Sequence, residues 1–250
     1  MRDRDGRAYV EGVRFLCTAL DAKVEIDAVV TSPQLESPVG RRLVQSLARR
    51  GVPILRLTDA ELASLSVLDS PQGIGAVIRQ RWTTLDDDTV APRDRHALWV
   101  AVDRVQKPGN LGSLLRTCDA VGARGLLLLH RDVDPYDPIV VRATMGSLFT
   151  LQLARAAPSV LREWNRHGGH YFVGAGLEGS HDYRAISYAR PLVLLLGSER
   201  QGLSDAQRAL CDTIVRIPMV GGCDSLNLAA AGAVLLYEVW NQRHPLRRRR

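Results

Sequence analysis

The sequence predicts an α/β protein in which a small α/β domain precedes a larger domain built on a parallel sheet. Two observations lead to this prediction. From Ala97 onward, short runs of consecutive apolar residues alternate with helical patterns, as in a parallel sheet that helices cover on both faces. Between Trp82 and His96 the chain is polar and contains a proline, which is typical of a linker. The predicted parts are a first domain at 1–82, a linker at 83–96, a second domain at 97–243 and a basic tail at 244–250.

Helix and strand patterns alternate on a small scale in the first domain. Apolar residues recur at helical spacing in Val10–Leu20, and Thr58 is a suitable N-cap for a later helix. Strands are predicted at Ile26–Val30, Val52–Leu55 and Gly73–Arg79. A helix is predicted at Val39–Arg50, and it carries four arginines on or near its exposed side: Arg41, Arg42, Arg49 and Arg50.

Continuous apolar runs predict the strands of the second domain. They lie at Leu98–Val102, Gly125–Leu129, Tyr171–Val173, Leu192–Leu196 and Ile214–Ile217. The last helix, Leu226–Trp240, is rich in alanine and strongly apolar, so we expect it to pack in a core or in a subunit interface. His244 and Pro245 end this helix, and Arg247–Arg250 form the basic tail.

The composition is that of a globular, soluble protein. Apolar residues make up 46% of the chain and charged residues 24%. No apolar run approaches the roughly 20 residues that a membrane span requires. Met1–Asp5 is charged, which leaves no signal-peptide core, so we expect a cytoplasmic protein. The four cysteines are scattered without metal-ligand spacing, which favours reduced thiols and no metal site.

The positive charge of the chain is almost entirely arginine. The net charge of +6 is compatible with nucleic-acid binding, and equally with solubility alone. Lys23 and Lys107 are the only lysines among 33 basic residues. Arginine suits bidentate contacts with phosphate and stacking on bases, although the bias can also come from genomic composition.

Polar residues follow several predicted strands, where the ligands of open parallel sheets bind. In Asp103–Thr117, Asn110 is placed to cap a helix that carries Arg116, and taken alone these residues also fit a plain N-cap and a surface arginine. In Leu192–Ser204, a strand breaks at a glycine and presents Glu199. This carboxylate faces a ligand or, alternatively, is the entry charge of a helix.

A third polar stretch, Ile217–Ala229, combines apolar residues with a glycine loop. Ile217 and Met219 are suited to enclosing a purine, and Ser225 and Asn227 offer hydrogen bonds beside the following helix. The structural alternative is that Ser225 is the N-cap of that helix and Asn227 lies in its first turn.

A glycine pattern at Gly174–Gly179 suggests a different class of protein. It fits G-x-G-x-x-G after a strand, and Glu199 follows at about the distance that a dinucleotide-binding fold requires. This pattern would indicate an NAD-binding oxidoreductase. Against it, Ser180–Arg190 leaves little room for a crossover helix before Pro191.

Together and in this order, the three polar stretches resemble the three sequence motifs of the SpoU (TrmH) family of SPOUT methyltransferases. The matching letters are P-G-N-L-G-S-L-L-R-T, L-L-L-G-S-E-R-Q-G-L-S and I-P-M-x-G-G-C-D-S-L-N-L-A. The resemblance covers about Ala97–Gln242 and includes Asp134–Phe149. Less specifically, Tyr9–Arg14 is similar to the start of the small ribosomal-protein-like RNA-binding domain that many members carry.

The resemblance implies a SPOUT domain with a trefoil knot, a homodimer whose catalytic groups meet across the interface, and S-adenosylmethionine as the methyl donor. The implied catalytic residues are Asn110, Arg116, Glu199, Ser225 and Asn227. The implied donor pocket consists of Gly174, Ala175, Gly176, Leu177, Leu196, Gly197, Glu199, Gly202, Ile217, Met219, Ser225, Leu226 and Asn227.

The implied reaction is methylation of a ribose 2′-hydroxyl in structured RNA. The hydroxyl must lose its proton as the methyl transfers, so an acceptor must lie within hydrogen-bond reach. Arg116 is the family's candidate, but a guanidinium side chain, which stays protonated at neutral pH, is a poor base. Two roles therefore stay open for Arg116: a proton acceptor in an unusual state, or a cation that positions a phosphate and stabilises the developing alkoxide. The sulfonium loses its charge as the methyl leaves, so no metal is required.

The resemblance also indicates an RNA partner. We expect RNA to contact Arg116 and the helical arginines Arg41, Arg42, Arg49 and Arg50. Ribosomal RNA, including methylation that confers antibiotic resistance, is favoured over transfer RNA by analogy with the N-terminal domain. Two rival hypotheses are a catalytically silent RNA-binding protein of the same fold and the NAD-binding oxidoreductase.

Overall fold

The computed structural model describes residues 6–85, 94, 96–129 and 134–245, with only the backbone of His167. The predicted linker is therefore described only in part, and Arg247–Arg250 of the predicted tail lie outside the described residues. By their contacts, the residues form two units: Met1–Arg81 with Asp134–Thr150 (unit 1), and Trp82–Val133 with Leu151–Arg250 (unit 2). No described helix is both long and apolar enough to cross a membrane.

Strands and helices alternate along most of the described chain. In order they are β1 (Arg7–Glu11), α1 (Val13–Asp21), β2 (Ile26–Thr31), α2 (Pro38–Arg49), β3 (Ile54–Arg56), α3 (Asp59–Leu65), β4 (Ile74–Arg79), β5 (Leu98–Val102), α4 (Pro108–Ala120), β6 (Gly125–Leu128), α5 (Pro138–Thr144), a 3-10 helix (Ser147–Phe149), β7 (Gln152–Arg155), α6 (Pro158–Gly168), β8 (Tyr171–Ala175), β9 (His181–Asp182), β10 (Leu192–Leu196), α7 (Asp205–Arg208), β11 (Thr213–Arg216) and α8 (Leu228–Arg243).

Unit 1 is built on a four-stranded sheet in the order β1-β4-β2-β3. Strand β4 is antiparallel to β1 and β2, whereas β2 and β3 are parallel. The predicted helix over Val10–Leu20 is wrong at its start, because Val10 and Glu11 pair with β4 as part of a strand. The helix begins only after Gly12, whose φ of 98° lies in the left-handed region that separates strand from helix.

Local capping chemistry defines the helices of unit 1. Ser37 caps α2 by accepting a hydrogen bond from the Gly40 amide at 3.2 Å. Thr58 caps α3 through a reciprocal pair of hydrogen bonds with Glu61, as its predicted capping role requires. Leu47 of α2 is buried. The predicted exposure is confirmed for the four arginines Arg41, Arg42, Arg49 and Arg50.

The segment Asp134–Thr150 packs within unit 1, although the sequence places it inside the range 97–243. Val140 and Val141 on α5 are buried. The Tyr136 hydroxyl accepts from the Arg81 amide at 2.7 Å and donates to the Arg81 carbonyl at 3.1 Å. Unit 1 is therefore assembled from two stretches of chain that are far apart in sequence.

Unit 2 contains the predicted parallel sheet, with seven strands in the order β7-β6-β5-β10-β8-β11-β9. Every pairing in this sheet is parallel. Each residue of β5 and of β10 is buried, which explains their uninterrupted apolar sequences. The predicted α/β class with a parallel sheet is confirmed.

Two strands of unit 2 were not predicted from the sequence pattern, β7 and β9, and they form the two edges of this sheet. Both carry polar residues, with Gln152 and Arg155 in β7 and His181 and Asp182 in β9. An edge strand is less enclosed than a central one, so it does not need a continuous apolar run.

Four central strands of unit 2 end side by side. Leu196 at the end of β10 is in register with Val102 of β5 and with Ala175 of β8, and Ala175 is in register with Val215 of β11. The loops that follow these four strands therefore begin at the same edge of the sheet. This arrangement brings the three polar sequence stretches and the glycine loop into one region.

Candidate active site

The loop after β10 is a tight turn that presents Glu199. The Ser198 amide donates to the Gly202 carbonyl at 2.9 Å, and the Gly202 amide donates back to Ser198 at 3.0 Å. A Cβ atom on Gly197 would overlap the backbone of Gly202 and Leu203, so this position requires glycine. Glu199 lies in this turn and not at the start of a helix, because α7 begins only at Asp205. The alternative role of Glu199 as a helix-entry charge is wrong.

The loop after β11 leads to the first turn of α8, which Asn227 caps. The Asn227 Oδ1 atom accepts from the amides of Ala229 at 2.9 Å and Ala230 at 3.3 Å. The alternative in which Ser225 is the N-cap is wrong, because the helix begins at Leu228. Ser225 is exposed.

The predicted cap role of Asn110 is also wrong. Helix α4 begins at Pro108, so Asn110 lies inside its first turn, and Lys107 occupies the N-cap without a side-chain cap bond. The Asn110 side chain instead joins the other two loops. Its Nδ2 atom donates to Glu199 Oε1 at 2.6 Å, and its Oδ1 atom accepts from Asn227 Nδ2 at 3.0 Å.

These bonds form a directional relay from Asn227 through Asn110 to Glu199. The two helix amides fix the Asn227 oxygen, so its amino group must point toward Asn110. The Asn110 oxygen accepts the hydrogen bond from Asn227, so the Asn110 amino group faces Glu199 and donates to it. One residue from each of the three sequence stretches thus contributes to a single hydrogen-bonded cluster.

A cleft of about 380 Å³ lies beside this relay, within the size range of small-molecule sites. Its apolar walls include Leu196, Ile217 and Met219, and Glu199 also lines it. Of the predicted donor-pocket residues, those that line the cleft are Ala175, Gly176, Leu177, Leu196, Gly197, Glu199, Gly202, Ile217, Met219, Ser225 and Leu226.

Gly174 and Asn227 were predicted in the donor pocket but do not line the cleft. Gly174 is buried within β8, where a Cβ atom would lie 2.7 Å from Cys211 Sγ and 2.8 Å from Leu203 Cδ1. Its small size therefore serves packing behind the cleft wall. Burial raises the pKa of the Cys211 thiol to about 11, so this neighbour is a neutral packing group.

An ion pair across the cleft wall had no signal in the sequence. Arg208 Nη1 lies 3.3 Å from Glu178 Oε2, and Arg208 Nε donates to the Leu203 carbonyl at 3.2 Å. The pair connects the loop after β8 with α7 and the end of the turn after β10. Each residue has the sequence context of an ordinary surface charge, and only the fold brings them together.

Arg116 is the one predicted catalytic residue that lies apart from both the relay and the cleft lining. It is exposed on α4, six residues after Asn110. Helix geometry places it about 9 Å farther along the axis and about 240° around it. Within the described residues, Arg116 makes no hydrogen bond or ion pair. A single chain therefore does not bring this guanidinium to the Asn110–Glu199 pair.

The glycine pattern at Gly174–Gly179 does not form a dinucleotide-binding turn. A Cβ atom on Gly179 would overlap the backbone of Val215 and Arg216, and the chain continues into β9. A dinucleotide site needs a helix whose N-terminus faces the pyrophosphate. The NAD-binding hypothesis is wrong for this reason, and the glycine loop is a wall of the cleft instead.

The described ranges hold no group of three or more His, Cys, Asp or Glu side chains that could bind a metal ion. The cysteines in these ranges are all free thiols.

Comparison with known proteins assigns the chain to a family. The family model described as the SpoU rRNA methylase family matches residues 97–237. The chain belongs to the SpoU rRNA methylase family. A second model, described as an MRM3-like substrate binding domain, matches residues 1–76 of this SpoU-family chain.

Curated relatives and solved structures agree with this assignment. The 23S rRNA (uridine(2479)-2′-O)-methyltransferase of Streptomyces viridochromogenes is 34% identical over 97% of this SpoU-family chain and 85% of its own. The AdoMet-bound rRNA methyltransferase from Sinorhizobium meliloti superposes with a TM-score of 0.88 at 36% identity, over 98% of this chain and 90% of that one. The SpoU methyltransferase AviRb from Streptomyces viridochromogenes, in complex with AdoMet, gives a TM-score of 0.85 at 33% identity, over 97% and 92% of the two chains.

Proposed function

We propose that this protein uses S-adenosylmethionine to methylate a ribose 2′-hydroxyl in ribosomal RNA, in the cytoplasm. The observation that carries the proposal is the cleft itself. It is formed by the loop after β8 and by the second and third motif stretches, and Asn110 of the first stretch connects the other two through the Asn227–Asn110–Glu199 relay. Similar chains in this family are named as AdoMet-bound and as rRNA 2′-O-methyltransferases, which supports the donor and the reaction.

The chemistry of the cleft fits this donor. Leu196, Ile217 and Leu226 offer apolar surface for the adenine, and backbone polar groups of the turn after β10 lie beside them. Glu199, Glu178 and Asp224 supply carboxylates around a ligand that carries a positive sulfonium. When bound, the donor supplies an electrophilic methyl group.

The site residues have two proposed tasks. The lining residues bind the donor, with Gly174 supporting the wall from behind and Asn227 fixing the loop after β11 through the relay. Asn110, Glu199, Ser225 and Asn227 organise the reacting groups. Arg116 supplies a cation that binds RNA phosphate and stabilises the developing alkoxide, because a guanidinium has donors but no free lone pair.

RNA binding is proposed for unit 1 through α2. This helix exposes Arg41, Arg42 and Arg49, its C-cap residue Arg50 is exposed as well, and no acidic residue lies within Pro38–Arg49. Such a surface attracts a polyanion by phosphate contacts that carry little sequence information. The match of residues 1–76 to a substrate-binding domain supports the same role.

A homodimer is proposed with α8 at its interface. Tyr237 is 51% and Trp240 40% exposed on this helix, and large aromatic side chains are enriched in protein interfaces. A second copy would also supply Arg116 to a site that the single chain leaves without it. Changing Trp240 to Glu should convert a dimer to a monomer in sedimentation velocity. A wild-type monomer at all concentrations tested would refute the dimer.

The function is tested by incubating the protein with methyl-labelled S-adenosylmethionine and total RNA from a bacterium that lacks the enzyme. We expect label in ribosomal RNA that maps to a single 2′-O-methyl ribose. Label in transfer RNA would change the substrate but keep the reaction. A thermal shift with the donor and no label in any RNA would instead support the silent RNA-binding alternative.

A further inference from the structure

We propose that a groove at the β7 edge of the parallel sheet binds an unpaired nucleobase of the RNA substrate, separately from the donor cleft. This inference rests on the proposed function in RNA methylation and adds a contact point for the RNA on unit 2. The groove has a volume of about 330 Å³, within the size range of small-molecule sites. The residues that line it, and that define the Trp82 groove, are Trp82, Thr83, Thr84, Leu85, Arg155 and Val160.

The chain at Trp82–Leu85 is held against β7, so the Trp82 groove is a fixed part of unit 2. The Thr83 amide donates to the Leu153 carbonyl of β7 at 2.7 Å. Leu85 is buried and belongs to the hydrophobic cluster that also contains Trp164. A ligand therefore meets a groove that is already formed, and its binding loses little free energy to the ordering of this segment.

A cation stacked on an aromatic ring gives the Trp82 groove its chemical character. The guanidinium carbon of Arg155 lies 4.0 Å from the centroid of the Trp82 ring. Both residues are partly exposed. Nucleobases stack on aromatic rings and on guanidinium planes, and every base has the π face that this contact needs. The positive charge of Arg155 also complements a polyanionic strand.

Two threonines add hydrogen-bonding groups beside this pair. Within the part of the chain that the structure describes, the hydroxyls of Thr83 and Thr84 make no hydrogen bond. A hydroxyl both donates and accepts, so it can pair with the edge of any base. Val160 is 46% exposed and adds apolar surface. The combination fits a nucleobase, whereas a phosphate group alone would leave the Trp82 ring and Val160 without a contact.

The Trp82 groove lies at the same edge of the sheet as the donor cleft. Arg155 at the end of β7 is in register with Leu128 of β6. Leu128 is in register with Val102 of β5, which is in register with Leu196 at the end of β10. Three strand spacings, roughly 14 Å, therefore separate Arg155 from Leu196, which lines the cleft. Stacked nucleotides carry one charge per about 3.4 Å of strand, so about four nucleotides cover this distance.

The test measures binding of two single-stranded probes to the full-length protein: a short oligoadenylate and an abasic ribose-phosphate strand of the same length. Oligoadenylate should quench the tryptophan fluorescence of the wild type. The Trp82→Phe variant should lose most of this quenching but keep the affinity within about threefold, because phenylalanine still stacks. Trp82→Ala should weaken oligoadenylate binding by about 5- to 150-fold, the usual contribution of one stacked base. The abasic strand should bind the wild type and both variants equally.

Variants of Arg155 separate stacking from charge. Arg155→Lys keeps the charge but lacks the planar group, so it should weaken oligoadenylate binding nearly as much as Arg155→Gln. The matched control is Arg162→Gln, at an exposed position of α6, which should keep the wild-type affinity. In Trp82→Ala the slope of log K against log salt should stay within about 0.7 of the wild-type slope, because no phosphate contact is lost.

The methylation assay provides a second readout. Trp82→Ala should raise KM for the RNA and keep kcat within about threefold, since the groove contacts a nucleotide that does not react. Two results would overturn the inference alone: a folded Trp82→Ala protein that binds oligoadenylate as tightly as the wild type, or a wild type with no preference for oligoadenylate over the abasic strand. Wild-type protein that binds oligoadenylate through Trp82 but methylates no RNA would refute the proposed function and leave the nucleobase site in place.

Discussion

Asn110 on α4 donates a hydrogen bond of 2.6 Å to Glu199, which lies 89 positions later in the chain. The same asparagine accepts from Asn227 at 3.0 Å, across 117 positions. Its side chain thus links the loop after β10 to the start of α8 through two hydrogen bonds. The chemistry that we propose depends on this central residue.

Replacing Asn110 tests the relay directly. Asn110→Ala removes the donor to Glu199, and Asn110→Asp also places a second carboxylate against it. A hydrogen bond to a charged group contributes about 1.5–3 kcal/mol, which corresponds to roughly 10- to 100-fold in rate. We expect kcat to fall in that range for alanine and further for aspartate, measured under saturating donor and RNA.

The matched control is Ser113→Ala, at an exposed position of the same helix, which should keep kcat. If Asn110→Asp were as active as the wild type, the hydrogen bond to Glu199 would have no part in catalysis.

Gly197→Ala should damage both stability and donor binding. Its Cβ atom would overlap the backbone of Gly202 and Leu203, and backbone cannot move aside as a flexible side chain can. We expect a loss of at least about 2 kcal/mol in the free energy of unfolding, together with loss of donor binding in calorimetry. Gly221→Ala is the control for stability, since nothing lies within 4 Å of its added Cβ. Equal stability of the two variants would show that the turn is not as tight as described.

The arginines of α2 and of its C-cap should determine the salt dependence of RNA binding. Each phosphate contact that is lost lowers the slope of log K against log salt by about 0.7–0.9. Alanine at Arg41, Arg42, Arg49 and Arg50 together should therefore flatten this slope in a filter-binding titration. Arg162→Ala, an exposed arginine of α6, serves as the control and should leave the slope unchanged. An unchanged slope in the fourfold variant would place the RNA elsewhere.

Deleting the first 82 residues is a poor substitute for these point variants. Helix α5 belongs to unit 1 by its contacts, and its residues Val140 and Val141 are buried there. A truncated chain would expose this apolar surface to water, so a loss of RNA binding would not distinguish a missing contact from damaged folding.

His170 should lower the free energy of unfolding of the protein at acidic pH. Burial lowers the pKa of this imidazole to about 4, with a smaller contribution from Arg124, and neither ring nitrogen has a hydrogen-bond partner among the described residues. The pKa in the unfolded chain is near its usual value of about 6.5. The unfolded state therefore takes up a proton first, and stability should decrease as the pH falls from about 6.5 to about 4.

The variant that isolates this effect is His170→Phe, which preserves a ring against Trp164, now stacked at 4.2 Å. Its free energy of unfolding in urea should fall less than that of the wild type between pH 7 and pH 4.5. Parallel pH profiles for the two proteins would mean that His170 does not titrate as proposed.

The sequence predicted the centre of the fold better than its edges. Strands β5 and β10 are buried along their whole length, so their sequences are continuous apolar runs that can be recognised without knowing the fold. Strands β7 and β9 lie at the sheet edges and carry polar residues, so their sequences look like those of loops. The predicted start of α4 was wrong because Asn110 was assigned as the N-cap of this helix. Pro108, which favours the first position of a helix, was the better signal.

The candidate site was predictable as a set of residues but not as a geometry. The motif stretches follow strands that end side by side, which explains why most of the predicted pocket residues line one cleft. The relay and the Glu178–Arg208 pair depend on side chains that meet only after folding. Arg116 shows the limit of the sequence argument, since its place in the same motif as Asn110 does not put it on the same face of the helix.

A crystal structure of the protein soaked with S-adenosylhomocysteine is the most direct test of the central claim that the cleft binds the methyl donor. We expect the ligand between the turn after β10 and the Ile217–Leu226 loop, with its sulfur on the side of the cleft that Glu199 lines. Ligand density at another surface, with this cleft empty, would contradict the account.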